Sequence, residues 1–287
     1  MTAVGTSDVL RTPRFGRRRA RGRSPYTVFL IVLCGALVLT ALLGPLLAPY
    51  PPDATNILAA SLPPSLAHPL GTDSLGRDLL SRLLWGAQIS YAAAALIVVI
   101  SIVLGIVIAL VSSWFGGVVD ATASGVLNVF IAIPGMLVAI IAVTILGPGF
   151  WAPVLAMAFA SAPYAARILR GTAQQERHKA YVEALGLSGI STLRINGHIL
   201  RGVSPIILAQ TTFGFGVALL EFGALSFVGL GIQPPTAEWG AMVIAGRTEM
   251  LAGDPQQTLS AGAMIVISVV AFTLLGERLQ ATLGVGR

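Results

Sequence analysis

Residues 171–203 read GTAQQERHKAYVEALGLSGISTLRINGHILRGV, and the fold is decided by what lies on either side of them. This polar segment separates two strongly apolar runs, and it holds Lys179, the only lysine of the chain. A polypeptide this apolar keeps a long polar segment on one side of a membrane so that something can dock there. The stretch Tyr181-Val182-Glu183-Ala184, with Gly189 beyond it, is the centre of that segment. The chain therefore reads as a moving part driven by a partner.

Composition bounds the class. The 287 residues are 55% hydrophobic and 10% charged, with mean hydropathy +0.83. A soluble domain carries about 25% charged residues, so this chain has too few charges to cover a water-facing surface. The single cysteine, Cys34, lies in an apolar run, which excludes an intrachain disulfide. The net charge of +6 is uneven: Arg11, Arg14, Arg17, Arg18, Arg19, Arg21 and Arg23 crowd the first 25 residues. A nucleic-acid-binding arm has this composition, but an apolar run follows at once, so a cytoplasmic anchor is the better reading and no nucleic-acid partner is expected. The run from Tyr26 to Ala48 is longer than a signal-peptide core and ends in Pro45-Leu46-Leu47-Ala48-Pro49, without a small-x-small cleavage site. It reads as a retained span.

A membrane-crossing helix needs about 20 apolar residues. Segments 26–48, 88–112, 120–146, 151–169, 204–229 and 260–280 qualify, and backbone groups in lipid must be satisfied within the segment, so each is expected to be helical. The expected fold is an all-α polytopic membrane protein with six spans. Basic residues set its orientation. With both termini in the cytoplasm, the tail holds 7, the 167–203 region 6 and the C-terminus 2, against 3 outside (Arg77, Arg82, Arg247), a split of 15 to 3. The organisation is then a basic tail (1–25), a first span (26–48), a Pro-rich extracytoplasmic segment (49–87) and a five-helix core (88–287) with a cytoplasmic loop at 171–203. Leu75, Leu79, Leu80, Leu83 and Leu84 recur at helical spacing and predict an amphipathic helix near 74–84.

Polar groups within the spans are candidates for function. Glu221 falls mid-way along the fifth span. A charged side chain at a helix centre costs roughly 2.5–3.5 kcal/mol on insertion scales, so this carboxyl is neutral, paired or facing water. It lines a translocation pathway or struts two helices; the sequence leaves both open. Asn128 in the third span is a candidate partner for it, Pro134 is expected to kink that span, and Asp120 is expected to cap it or favour its dipole. Ser101, Gly105 and Ala109, four residues apart, suit close helix approach. Missing motifs narrow the field. With one lysine, preceded by His178, there is no Gly-Lys-Ser/Thr phosphate loop. His68, His178 and His198 form no His-Glu-x-x-His zinc motif, and no Gly-x-Ser-x-Gly elbow is present. The chain is not expected to be an enzyme, nor to hold a cofactor or metal of its own.

Four segments carry a resemblance. The run His68-Pro69-Leu70-Gly71-Thr72-Asp73-Ser74-Leu75-Gly76-Arg77-Asp78-Leu79-Leu80-Ser81-Arg82 resembles the extracytoplasmic signature of peptide/nickel-type ABC importer permeases, specifically the second permease subunit of dipeptide and oligopeptide systems. Ile133-Pro134-Gly135 with Leu146-Gly147-Pro148-Gly149 is similar to the same family. So are Glu221-Phe222-Gly223-Ala224-Leu225-Ser226-Phe227-Val228-Gly229-Leu230-Gly231 with Gln233-Pro234-Pro235 and Trp239-Gly240, and Leu274-Leu275-Gly276-Glu277-Arg278-Leu279. Together they cover most of the chain after residue 25, in the family's order. The family's coupling motif is Glu-Ala-Ala, then Gly four residues on, then an Ile/Leu-Pro ending. Here Glu183-Ala184-Leu185, Gly189 and His198-Ile199-Leu200 resemble it, with Leu185 for the second alanine, Arg201 for the proline and a spacing one residue short.

The resemblance implies a type I ABC importer permease fold and a place in the plasma (inner) membrane. It implies a heterodimer with a second permease, two ATPase subunits that hold the ATP and Mg2+, and an extracytoplasmic peptide-binding protein, all set in membrane lipid. Tyr181, Glu183, Ala184, Gly189 and His198 would form the ATPase-coupling site. Glu221, Asn128 and Pro134 would line the pathway, and Asp73, Arg77, Asp78 and Trp239 would contact the binding protein. The implied cargo is di- or oligopeptides, with glutathione or a nickel chelate as alternatives. A stand-alone secondary transporter, suggested by Glu221, is expected to show inverted repeats with interrupted helices, and none is found in the sequence. A non-transporting scaffold, suggested by the basic tail, is the third reading.

Overall fold

The computed structural model describes residues 24–283, so the arginines of the tail lie outside the described residues. The chain is built of helices: α1 (Pro25–Leu47), α2 (Leu79–Phe115), α3 (Gly117–Ile131), α4 (Gly135–Leu146), α5 (Trp151–Arg177), α6 (Ala180–Leu187), α7 (Thr192–Phe227), α8 (Trp239–Ala245), α9 (Arg247–Leu251) and α10 (Gln256–Leu283). Among the described residues no strand forms; one isolated bridge pairs Thr72 with Asp78. Five helices (α1, α2, α5, α7, α10) are long and apolar enough to cross a membrane, and the bent pair α3 and α4 makes a sixth if the two are one span.

Three elements differ from expectation, each for a local reason. The third span is two helices set 74° apart, not one kinked rod. Pro134 has no N–H and disfavours helical backbone at Ile133, so α3 ends at Ile131 and Pro134 becomes the residue before α4. The amphipathic helix expected at 74–84 does not stand alone. Residues 71–78 form an ordered loop, and the leucine repeat from Leu79 runs unbroken into the second span, giving a helix of 37 residues. Asp78 starts that helix by accepting a hydrogen bond from Ser81 N at 2.7 Å. The polar segment is also more regular than a loop. Leu169 and Ala173 continue the buried stripe of α5, and Ile195, Ile199, Val203 and Ile206 begin that of α7, so both helices extend past the apolar runs and bracket the short α6. At 1.5 Å per residue the 36-residue α7 is about 54 Å long, well beyond the roughly 30 Å hydrocarbon layer.

Helix packing follows the small residues. A Cβ on Gly105 would meet Ala166 N at 2.9 Å, so α2 and α5 cross almost backbone to backbone. The main buried cluster joins α1, α2, α5, α7, α8 and α10 around Ile97, Met157, Leu219, Phe222 and Trp239. Val99, Val103 and Val107 of α2, and Phe29, Val32 and Leu39 of α1, point outward, as suits lipid-facing surface. Pro205 interrupts the hydrogen bonding of α7. Its missing N–H would orphan the carbonyl of Arg201, and Ser204 Oγ donates to that oxygen at 2.8 Å, so the helix continues through the site where the coupling motif normally has its proline.

Candidate functional site

At one end of the bundle α6 rests on a small apolar cluster of its own. Val182 is buried and Leu185 half-buried against Leu169 and Ala173 of α5 and Ile195 and Ile199 of α7. Three residues apart, Val182 and Leu185 seat one face. Tyr181, Glu183, Ala184 and Leu187 are exposed on the rest. The helix stops in a Schellman arrangement: Gly189 N donates to Gly186 O at 3.1 Å and Ile190 N to Leu185 O at 3.3 Å, with Gly189 at φ +71°. A left-handed backbone costs a side-chain-bearing residue roughly 1–2 kcal/mol. Gly189→Ala is therefore expected to lower the protection of α6 amides against hydrogen exchange by about tenfold, with the bundle core unchanged; equal exchange in both proteins would contradict this.

Glu176, which the sequence reading passed over, fixes the approach of α5 to α6. Its carboxylate accepts from Lys179 Nζ at 2.5 Å and from Tyr181 OH at 2.7 Å. Its side chain crosses α7 at Gly202, where any Cβ would collide with it. Burial, then the hydrogen bond to Glu176, pushes the Tyr181 phenol up to about 12, so Tyr181 stays a neutral donor at every physiological pH. His198 is exposed on α7, one residue before the fully buried Ile199, and takes no part in this cluster.

One turn further into the bundle a polar joint ties three helices. Arg170 grips Asp120 with two prongs, Nε–Oδ1 at 2.6 Å and Nη2–Oδ2 at 2.7 Å. Gln174 donates to the same carboxylate at 2.9 Å and Ser112 Oγ at 2.5 Å. Arg177 donates to the carbonyls of Ser113 and Trp114, its guanidinium 4.8 Å from the Trp114 ring centroid. Asp120 lies in the first turn of α3 but does not cap it, because Arg170 takes its carboxylate; Gly116 occupies the cap position. Arg170, Gln174 and Arg177 recur at i, i+4 and i+7, one face of α5. That spacing was the available sequence signal.

Between α2, α5 and α7, at the elbow of α3 and α4, lies a half-open cavity of about 400 Å³. Pro134 and Gly135 form its wall at the elbow, and Glu221 and Gln210 reach it from α7. Glu221 is half-buried and sits in the last two turns of α7, nearer that helix's end than the middle of a span, because α7 begins at Thr192. Asn128 is exposed on α3 and does not line the cavity, so it is no partner for Glu221; α3 reaches the cavity only with its last residue, Ile131.

A helical bundle with five or six candidate crossings agrees with the all-α membrane fold expected. The sequence profile described as binding-protein-dependent transport system inner membrane component matches residues 101–284. The chain belongs to that family. It is 37% identical over 258 residues to the "Probable D,D-dipeptide transport system permease protein" of Escherichia coli K12, covering 90% of this chain and 86% of that one. The dipeptide transport system permease protein of Haemophilus influenzae is 34% identical over 271 residues, covering 92% and 90%. The glutathione transport system permease protein of Escherichia coli O1:K1 / APEC is 36% identical over 279, covering 95% and 90%. The chain is thus a permease of the inner membrane, the class of transport subunit expected, and not a catalytic protein.

At the permease's opposite end the residues expected to face a binding protein are turned inward. Asp73, Arg77, Asp78 and Trp239 are 2, 8, 3 and 1% exposed. Asp73 accepts from Arg77 Nε at 2.6 Å and from the amides of Leu75 and Arg77. Asp78 takes His68 Nδ1 at 2.9 Å as well as Ser81. Trp239 Nε1 donates to Leu83 O at 2.9 Å, and its ring meets Tyr91 edge-on. The motif thus folds this end of the permease instead of presenting a contact surface. Backbone amides and paired side chains replace the water these buried carboxylates give up. Arg82, unremarked as a structural residue in the sequence, binds Pro52 O at 2.8 Å and Pro235 O at 3.2 Å, so it fastens both extramembrane segments to α2. Glu238 caps α8 through Gly240 N and Ala241 N, each at 2.9 Å, and accepts from Ser90 Oγ. Burial pushes this carboxyl above the usual carboxylate range, against the pull of those hydrogen bonds.

Proposed function

We propose that the chain is one of two unlike permease subunits of an ATP-driven importer of di- or oligopeptides, and that separate ATPases drive it through α6. One observation carries the reading: an eight-residue helix is clamped through Tyr181 by Glu176 between the extensions of α5 and α7, with Glu183 and Ala184 exposed on its free face. On this reading the α6 end is cytoplasmic, in line with the excess of basic residues there, and the ATPases hold the ATP and Mg2+. Their closure pushes α6, α5 and α7 carry the push inward, and a peptide-binding protein delivers cargo at the other end. Relatives from dipeptide systems support a peptide cargo; a relative from a glutathione system supports that tripeptide as the second reading.

Proteoliposomes holding both permeases and both ATPases, given the binding protein and a labelled dipeptide, should accumulate it only with ATP inside the ATPase compartment and only with this chain present. Undiminished uptake without the chain, or uptake by the chain alone under an ion gradient, would overturn the proposal.

A further inference from the structure

The cavity has an electrostatic bias that the fold alone does not require. Its walls are mostly aliphatic, among them Ile97, Ile102 and Met157. No lysine, arginine or histidine lines it among the described residues, and Glu221 is its single ionisable carboxylate. That carboxylate has no hydrogen-bond or ion-pair partner among the described residues. A helix strut would show a partner. A carboxyl at membrane depth keeps its charge only where water or a cation meets it, and this one faces a half-open cavity. Gln210, Val217 and Glu221 repeat at i, i+7 and i+11 along α7, so the carboxylate and the carboxamide sit on one stripe. Their Cα atoms are about 16 Å apart by helical rise, the reach of about five extended residues. The volume, about 400 Å³, lies at the lower end of the range for small-ligand sites, roughly 300–1,000 Å³.

We propose that Glu221 is a cation-recognition residue of the pathway, pairing with the amino-terminal ammonium of the cargo while the peptide lies along α7 toward Gln210. The assignment rests on the importer reading for the identity of the cargo, but not for the sign of the site. An apolar trough with one negative group accepts a cationic head on an uncharged body and rejects a free anion. A low-dielectric wall strengthens that preference, because field lines concentrate in a narrow cleft.

The test reads the cavity's charge directly. Cys34 is the only cysteine and is buried, so Cys34→Ser with Gln210→Cys places one thiol in the cavity of the assembled complex. The rates of modification by 2-aminoethyl methanethiosulfonate, a cation, and 2-sulfonatoethyl methanethiosulfonate, an anion, are compared with those for a free thiol in solution. The cation should be favoured by about tenfold beyond the solution ratio, and adding Glu221→Gln should return the ratio to the solution value. A ratio equal to solution with Glu221 present, or one unchanged by Glu221→Gln, overturns the proposal whatever the complex transports. A second arm uses uptake of alanyl-alanine. Glu221→Asp, which keeps the charge, should retain most of the rate, and Glu221→Gln should lose about tenfold. The reverse order, with Gln active and Asp not, would mark a hydrogen-bonded strut. Failure of the unmutated complex to import would count against the importer reading and leave the labelling result standing.

Discussion

Asp120→Ala should cut the cargo moved per ATP hydrolysed by about tenfold or more, while ATPase binding stays near normal. The carboxylate takes most of the bonds by which α5 holds the start of α3: Arg170 uses two prongs and Gln174 a third, and Arg170 adds one bond to Ser124 Oγ at 3.1 Å. Both charged side chains keep about a fifth of their surface exposed, 17% for Arg170 and 21% for Asp120. The loss therefore falls between that of an exposed pair, under about 1 kcal/mol, and that of a buried one, about 3–5 kcal/mol, at about 2 kcal/mol, of which about 1.4 kcal/mol is already tenfold. Because α5 also carries Glu176, which seats α6, a push on α6 under the proposed function would reach α3 and the cavity's elbow through this joint. Arg170→Ala should have the same effect, and the double variant should be no worse than either single one. Additive losses would show that the two residues act separately. An unchanged ratio of uptake to hydrolysis in Asp120→Ala would remove the joint from the mechanism.

The second large effect concerns the opposite end. Trp239→Ala should destabilise the folded permease by about 3–5 kcal/mol, the usual cost of emptying a buried tryptophan site. It removes the hydrogen bond to Leu83 O and the edge contact with Tyr91. The readout is the yield of monodisperse protein in detergent and its unfolding temperature. Binding-protein affinity, measured on whatever complex survives, should be unchanged, because the side chain is 1% exposed. Wild-type stability with weakened binding-protein affinity would restore the contact role that the sequence suggested.

Much of this architecture is legible in the chain because lipid imposes a simple rule. The six apolar runs mark the crossings, and no soluble fold has that pattern. What is not legible follows from the same rule. Hydropathy marks where a helix may lie in the membrane but not where it stops, so the extensions of α2, α5 and α7 beyond the bilayer were hidden under polar residues with helical spacing. Pro134 was readable as a defect, yet not as a 74° break, because the neighbours α2, α5 and α7 decide how far two halves diverge. Among site residues, Tyr181, Glu183, Ala184 and Gly189 sit together on or beside α6, and Glu221 with Pro134 share one cavity. Asp73, Arg77 and Asp78 look like a charged surface in sequence, since nothing in a one-dimensional string says that the charges face one another. Asp120 and Arg170 are fifty residues apart, and only the fold brings them together.

The elbow at Pro134 also constrains biosynthesis. The two halves of the crossing have 15 and 12 residues, each shorter than the roughly 20 that let a segment settle alone across the bilayer. Both lie against α5, which the ribosome makes later. In a nascent chain released just after Leu146, α3 has α2 to rest on, through Ser112 and Asp120, but α4 still lacks its main neighbour. The seating of α4 therefore waits for α5, and a chain truncated after Leu146 should leave α4 more open to aqueous thiol labelling than the full chain does.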